Sequence, residues 1–270
     1  MSIINDVGST AFIIAAYHAE EEFNDNPLFA SKYAKLFMTE DGQNKADEYS
    51  QLFPVGKKMI RYRIKFFDDI IHENIENGTK QVVILGSGFD MRACDYIDRD
   101  VVFYDIDQFS MIKYKKAVIE KNKIIYPGRF IECNYVEENV ISKLSSKGFD
   151  FSLRTLFIWE GNVFYLSKNF IYSFLNELYD KISDFSISFD YVTEQVILSK
   201  SKYDPLNKEA KFFADIGAGW LTGFDDVSIL EKKTRLHVIK NVEVMSLEEN
   251  VSKKEILMLS EYLVCVLEKN

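Results

Sequence analysis

The segment QVVILGSGFDMR, residues 81–92, runs a short apolar stretch into two glycines, Gly86 and Gly88, with Asp90 and Arg92 directly behind. A Gly-x-Gly turn after a strand lets the backbone come close to a ligand, and glycine is costly where nothing requires it. Taken alone, the same residues also fit an ordinary tight turn. A dinucleotide fingerprint would want a third glycine at position 91, which is Met91, and a P-loop would want Gly-Lys-Ser/Thr, which SGFDMR lacks. Further on, VVFYDIDQ carries Asp105 and Asp107. Their spacing places both on one face of a strand, about 20 residues past the turn, where a carboxylate can accept both hydroxyls of a ribose. Asp107 is favoured because it is nearer the carboxyl end of the strand; solvated or helix-capping acids are the alternative. Turn and acid together point to a nucleoside site.

A third candidate lies upstream. In GKKMIRYRIKFFDDIIHENIEN, the residues Ile60, Ile64, Phe67, Ile71 and Ile75 define a buried stripe at helical spacing, and Arg63 falls on it. Arg61 instead shares the polar face with Lys57, Lys58 and Lys65. A guanidinium aimed at a core needs a partner. That partner is either an Asp in a structural ion pair or the carboxylate of a ligand. The lysines and Arg61 are simplest as a solvated helix face, although they could attract an anionic substrate.

These residues must be positioned by elements. Before residue 80 the chain reads as helical: TAFIIAAYHAEEEF and NPLFASKYAKLFM as helices, DGQNKADEYSQLFPVG as a loop with one helical turn at most, and residues 56–76 as a longer helix. From residue 81 short apolar runs alternate with amphipathic ones. QVVILG, VVFYDID, RFIEC, RTLFIWEG and FSISFDYV read as strands; QFSMIKYKKAVIEKN, EENVISKLSSK and SKNFIYSFLNELYDKI read as helices. That alternation predicts an α/β fold with a mostly parallel sheet flanked by helices. Ligands then sit at the carboxyl ends of the strands, where the glycines and acids fall. Residues 195–226 read as an irregular, substrate-side insertion; RLHVIKNVEVM and EYLVCVLEKN read as the last two strands. The expected organisation is one domain over residues 1–270, with a helical cap to residue 79 and the core from residue 80.

Composition narrows the function. A net charge of −9 disfavours a nucleic-acid surface. No apolar run approaches the roughly 20 residues of a membrane span, and MSIINDVGST lacks the basic start of a signal peptide. Cys94, Cys133 and Cys265 have neither metal-ligand nor disulfide spacing, so no metal is expected and a cytoplasmic location fits.

Together RYRIKFFDD, QVVILGSGFDMR, FYDIDQ and LFIWEGNVFYL resemble the leucine carboxyl methyltransferase family of S-adenosylmethionine-dependent O-methyltransferases, and most closely its bacterial branch for polyketide O-methylation, of the tetracenomycin type. NDNPLFASKYA is similar to the family's N-terminal helical segment, and the resemblance covers roughly residues 10–195. It implies a class I, Rossmann-like methyltransferase fold with S-adenosylmethionine as cofactor. It places Arg63 on the methionine carboxylate, Gly86 and Gly88 beneath the methionine part, Asp107 on the ribose and Glu160 beside the amino acid moiety. Asn134 and Tyr135 fall near the adenine, where the family usually has Asp-Leu; Asn134 can still accept from an adenine amino group through its carbonyl oxygen. Capping the turn after its strand is the alternative for Glu160, and Tyr165 could be core or site.

Methyl transfer from a sulfonium needs alignment more than acid–base chemistry. A carboxylate acceptor is already ionised near neutral pH, whereas a phenol benefits from a base. His18, His72 and His237 sit in no catalytic motif, and His18 reads as a partly exposed surface residue. This favours a carboxylate on a small polyketide-like molecule and identifies no catalytic residue. A protein C-terminal carboxyl methyltransferase, a non-catalytic cofactor-binding module and, more remotely, a nicotinamide oxidoreductase are the alternatives. The sequence carries no signal for oligomeric state.

Overall fold

The computed structural model describes residues 8–30, 32–247 and 260–269. The first seven residues of the expected cap and the stretch 248–259 lie outside the described residues. Seven strands form one sheet: β1 (Gln81–Leu85), β2 (Val102–Asp107), β3 (Arg129–Glu132), β4 (Thr155–Trp159), β5 (Phe185–Val192), β6 (His237–Glu243) and β7 (Tyr262–Glu268), in the order β3-β2-β1-β4-β5-β7-β6. Strands β1 to β5 pair in parallel, and β7 runs antiparallel between β5 and β6. The chain leaves β1 towards β2 on one side and β4 lies on the other, so the strand order reverses at β1. The crevice at the carboxyl ends of strands around such a reversal is where open α/β sheets bind ligands.

Side-chain alternation divides the core in two. Val82, Ile84, Phe103, Leu156 and Ile158 face one layer of packed helices. Val83, Leu85, Tyr104, Ile106, Phe157 and Trp159 face the other. On the first side lie α1 (Ser9–Glu21), α2 (Glu40–Leu52), α3 (Gly56–Glu76) and, later in the chain, a helix at Asp204–Asp215. The strands are apolar on both faces because both are covered, as parallel sheets require. Helix α4 (Phe109–Lys121) follows β2. Helices α5 (Val140–Ser145) and α6 (Lys168–Lys181) then build the second layer.

Three segments depart from expectation. NPLFASKYAKLFM forms only a 3₁₀ turn at Ala34–Phe37. DGQNKADEYSQLFPVG is not a loop: Glu40–Leu52 is helical, with Thr39 capping it by accepting the Gly42 N–H at 3.0 Å and Glu40 and Asp41 in the first turn. Its low apolar content hides the helix, since few residues, among them Ala46 and Tyr49, are buried. Gly42 permits its approach to α1, because a Cβ there would lie 2.8 Å from the Phe12 Cβ. The stretch 195–226 is not wholly irregular either. It contains most of a short helix α7 (Glu194–Ile197) and all of α8 (Asp204–Asp215), with Pro205 in the first turn of α8. A last short helix, α9 (Ile229–Lys233), precedes β6.

Candidate active site

At the carboxyl ends of β1, β2 and β4 the structure holds a cavity of about 560 Å³. All seven residues assigned to the cofactor from the sequence line it: Arg63, Gly86, Gly88, Asp107, Asn134, Tyr135 and Glu160. Their individual settings follow from the elements that carry them.

The turn after β1 has Gly86 at φ +67° and Gly88 at φ +47°, a region other residues enter reluctantly. The two glycines answer different needs. A Cβ on Gly86 would lie 2.5 Å from the Asn162 side chain, so Gly86 makes room for the loop after β4. A Cβ on Gly88 would meet nothing within 4 Å, and that open space belongs to the cavity. The Gly88 N–H donates to Asp107 Oδ2 at 2.7 Å, and the Gln108 N–H donates to Oδ1 at 2.7 Å. The carboxylate is thereby fixed in orientation at the cavity wall. Burial pushes its pKa up, against these two backbone hydrogen bonds. Asp105 is differently placed: fully buried, it pairs with the equally buried Lys115 and accepts the Tyr126 hydroxyl. It holds β2 to α4 and does not line the cavity.

Of the two readings the sequence left open for Arg63, the structure shows the ion pair with acids, made at the cavity wall. Arg63 is 6% exposed on the core stripe of α3. Its Nε donates to Glu160 Oε1 at 3.2 Å, and its Nη1 donates to Tyr262 Oη at 3.1 Å and to Asp190 Oδ2 at 3.5 Å. It is therefore a buried ion pair at a cavity wall. Asp190 is itself pinned by the Gly161 N–H at 2.6 Å and by the Tyr262 hydroxyl. Glu160 is no mere cap: its second oxygen accepts from Arg92 Nη1 at 2.9 Å. Burial would raise the Glu160 pKa, but Arg92 and then Arg63 outweigh it and hold the group below the usual range.

Asn134 and Tyr135 stand in the loop after β3. Asn134 Oδ1 accepts the Val136 N–H at 3.3 Å, and its backbone N–H donates to Glu138 at 2.9 Å. Tyr135 donates to Asn162 Oδ1 at 3.4 Å. Tyr165 is half-buried and lines the cavity, with burial pushing its pKa up to about 12.

Several site residues were not foreseen. Arg92 bridges Asp68, Asp90 and Glu160, and its Nη2 is buried without an acceptor among the described residues. Its place directly behind the glycine turn was the available signal. His18 is partly exposed, as expected, but it lines the cavity, and burial followed by the nearby Arg92 pushes its pKa down to about 4. His72 and His237 are exposed. The basic face of α3 is largely engaged with acids: Lys57 pairs with Glu20, Lys65 with Asp69 at 2.7 Å, and Arg61 with the fully buried Glu21 at 2.6 Å. Glu209, from α8, is a buried carboxyl in the same cavity wall.

The residues fit S-adenosylmethionine on structural grounds. Gly88 sits at the cavity wall in a left-handed conformation with open space before it, Asp107 presents an oriented carboxylate, and a guanidinium nitrogen with no acceptor among the described residues suits an anionic group. Among the described residues no cluster of His, Cys, Asp and Glu could hold a metal ion. No described helix is long and apolar enough to cross a membrane.

Comparison with known proteins bears on the family and the fold. A protein of Mycobacteroides abscessus named "Putative S-adenosyl-L-methionine-dependent methyltransferase" is 31% identical over 178 residues, covering 61% of this chain and 59% of its own. A protein of the same name from Mycobacterium marinum is 29% identical over 184 residues, covering 61% of this chain and 58% of its own. The match thus spans less than two thirds of these curated relatives. Among solved structures, a DUF574 family protein from Streptomyces avermitilis superposes with a TM-score of 0.70 at 12% identity, covering 100% of both chains. A protein from Thermobifida fusca described as a "putative methyltransferase" gives 0.66 at 14% identity, covering 96% of this chain and 94% of that one. At such identities the likeness is one of fold, and the fold is that of class I methyltransferases. The family described as "Leucine carboxyl methyltransferase" matches residues 11–179, and the chain belongs to that family.

Proposed function

We propose that this chain is an S-adenosylmethionine-dependent O-methyltransferase whose acceptor is a small, polyketide-like molecule. One observation carries the reading. A single cavity is lined both by the glycine turn with Asp107 and by the aromatic side chains Phe164, Tyr165, Phe213 and Trp220. A nucleoside-bearing donor and a flat organic acceptor can share it. The family and the names of the relatives support the choice of donor.

When bound, S-adenosylmethionine supplies a methyl group already activated by a positive sulfur. The protein's task is placement. Arg63 and Arg92 would meet the methionine carboxylate, Glu160 its ammonium, Asp107 the ribose hydroxyls, and Asn134 and Tyr135 the adenine. Rigid alignment of two reactants contributes about 7–11 kcal/mol to such a transfer. The network that locks both arginines onto Glu160 and Asp190 provides that rigidity.

The family's description and the scarcity of histidine favour a carboxylate acceptor, which needs no base near neutral pH. The buried carboxyl of Glu209 favours a hydroxyl acceptor instead. A single domain in a reducing cytoplasm is consistent with three free thiols, Cys94, Cys133 and Cys265.

Calorimetry tests the donor. S-adenosylmethionine or S-adenosylhomocysteine should bind at micromolar levels, about −8 kcal/mol, and NAD should not. Tighter binding of NAD would overturn the reading. Turnover of a panel of aromatic acids and phenols, against none of a C-terminal peptide, separates this function from protein carboxyl methylation. Cofactor binding with no turnover of any of them would favour a non-catalytic binding module.

A further inference from the structure

Glu209 lies on α8, in the segment between β5 and β6 that also brings Phe213 and Trp220 to the cavity. It is 2% exposed and contributes to the cavity wall. The Tyr49 hydroxyl, from α2, donates to its Oε1, while its Oε2 is buried with no partner among the described residues. Most buried carboxylates are neutralised by a cation. None of the ion pairs found among the described residues involves Glu209. Arg63, the guanidinium that acts on it, is committed to Glu160 and Asp190. The rings around it form a connected group. Phe213 stacks on Trp220 at 5.4 Å, Phe164 packs on Trp220 at 4.9 Å and on Tyr165 at 4.8 Å, and Tyr49 packs on Phe213 at 5.6 Å.

Resting on the methyltransferase reading, we propose that Glu209 is the catalytic base for a neutral aromatic hydroxyl acceptor, held in place by Tyr49. The chemistry of the wall selects this class. An anionic carboxylate acceptor would bring a second acidic group against the Glu209 carboxyl, which no ion pair among the described residues neutralises. A phenol brings no charge, stacks on the rings, and presents an O–H that the unpartnered oxygen can accept. In the transfer, the acceptor oxygen forms its bond to the methyl carbon as its proton moves to Glu209 Oε2. The carbon–sulfur bond breaks with its electron pair passing to sulfur, so the products are a methyl ether, S-adenosylhomocysteine and a protonated Glu209. The proton is then lost to solvent, which restores the base.

Burial sets the working range of the base, pushing the Glu209 pKa up to about 8 against the Tyr49 hydrogen bond and Arg63. The other titratable groups acting with it are Tyr17 from α1, Tyr49 from α2, Arg63 from α3 and Tyr165 from the loop after β4. Burial raises all three tyrosines, so none competes as a base. A base with a pKa near the operating pH suits transfer from a phenol.

The test compares 1-naphthol with 1-naphthoate, which share a ring and differ in the acceptor oxygen. The first readout needs no turnover. Infrared difference spectra of wild type against Glu209→Gln should show a protonated carboxyl band that titrates near pH 8. Adding 1-naphthol to the S-adenosylhomocysteine complex should shift that band, and adding 1-naphthoate should not. The second readout is methylation of 1-naphthol. Its kcat/KM should rise with pH to a plateau above about 8. Glu209→Gln should lower kcat about a hundredfold with unchanged S-adenosylhomocysteine affinity, and Glu209→Asp should restore part of it. A band untouched by 1-naphthol, faster turnover of 1-naphthoate, or wild-type activity in Glu209→Gln would each overturn the assignment while leaving the methyltransferase reading intact. Failure of the wild type to bind S-adenosylhomocysteine would overturn both.

Discussion

Arg63 and Glu160, 97 residues apart in the chain, meet at 3.2 Å, and Arg92 holds the other oxygen of the same carboxylate at 2.9 Å. One glutamate thus fixes two arginines at the wall of the cavity. Replacing Arg63 with lysine keeps a cation but removes the planar fork. Affinity for S-adenosylhomocysteine should fall by about 1.5–3 kcal/mol, the range for hydrogen bonds to charged groups. Calorimetry alongside thermal melting checks this. An unchanged affinity with a lowered Tm would assign Arg63 a structural role only.

Asp105 and Asp107, two residues apart on one strand, should fail in different ways. Asp107→Asn keeps the shape of a group held by backbone N–H donors but loses its charge. Its amide NH2 would also oppose one of those two N–H donors, so it should weaken cofactor binding by about 1–3 kcal/mol and lower Tm by less than Asp105→Asn does. Asp105→Asn strips the buried Lys115 of its counter-charge and should cost about 3–5 kcal/mol of stability. Denaturant titration and calorimetry on both variants would expose a reversed ranking.

Gly86→Ala combines a left-handed backbone with a Cβ only 2.5 Å from the Asn162 side chain. It should cost roughly 2–4 kcal/mol, more than the strain of about 1–2 kcal/mol at Gly88, where a Cβ meets open space. Gly88→Ala should instead act mainly on the cofactor. Equal stability of the two variants would show that Asn162 can move aside.

Arg61 serves stability through Glu21. Burial alone would raise the Glu21 pKa, yet Arg61 and the Leu28 N–H pull it below its ordinary value. The folded value is the lower one, so this contribution is present above the ordinary glutamate pKa and disappears as pH falls through the depressed one. Arg61→Ala should cost roughly 1–3 kcal/mol at pH 7, discounted for the partial exposure of Arg61 and the partners Glu21 retains. It should also flatten the acid limb of the stability–pH curve. An unaltered limb would mean that the pair contributes nothing measurable.

Glu209 has the opposite sign. Its folded pKa is raised to about 8, so its neutral form is stable below the ordinary glutamate value, and stability is lost as pH rises through the folded one. Holding it uncharged at pH 7 costs on the order of 3 kcal/mol relative to the unfolded chain. Glu209→Gln should therefore raise Tm at pH 7–8 and have little effect near pH 4. A fall in Tm at pH 8 would show that the carboxylate is better paired than the described contacts indicate.

Much of this was legible in local sequence, because period and turn chemistry act over a few residues. The alternation after residue 81 predicts β1 to β5 and their crossover helices to within a few residues, since strands apolar on both faces leave no other packing. Arg63 is visible as a charge on an apolar stripe, and Glu209 carries the same mark three residues after Leu206 and three before Phe212. That second mark was lost in a stretch read as irregular. Helix α2 was missed because its stability comes from a Thr39 cap and from a glycine that lets α1 approach, neither of which shows in hydropathy. Tertiary structure alone decided the rest. Asp105 and Asp107 share a strand face, and only the depth of Lys115 makes the first a core ion pair while the second reaches the cavity. His18 reads as a partly exposed surface residue, and only the tertiary structure makes it part of the cavity wall. Which acid meets Arg63, which oxygen of Glu160 meets Arg92, and which carboxyl is left without a cation depend on contacts between residues 68 to 160 positions apart, and no local pattern encodes those distances.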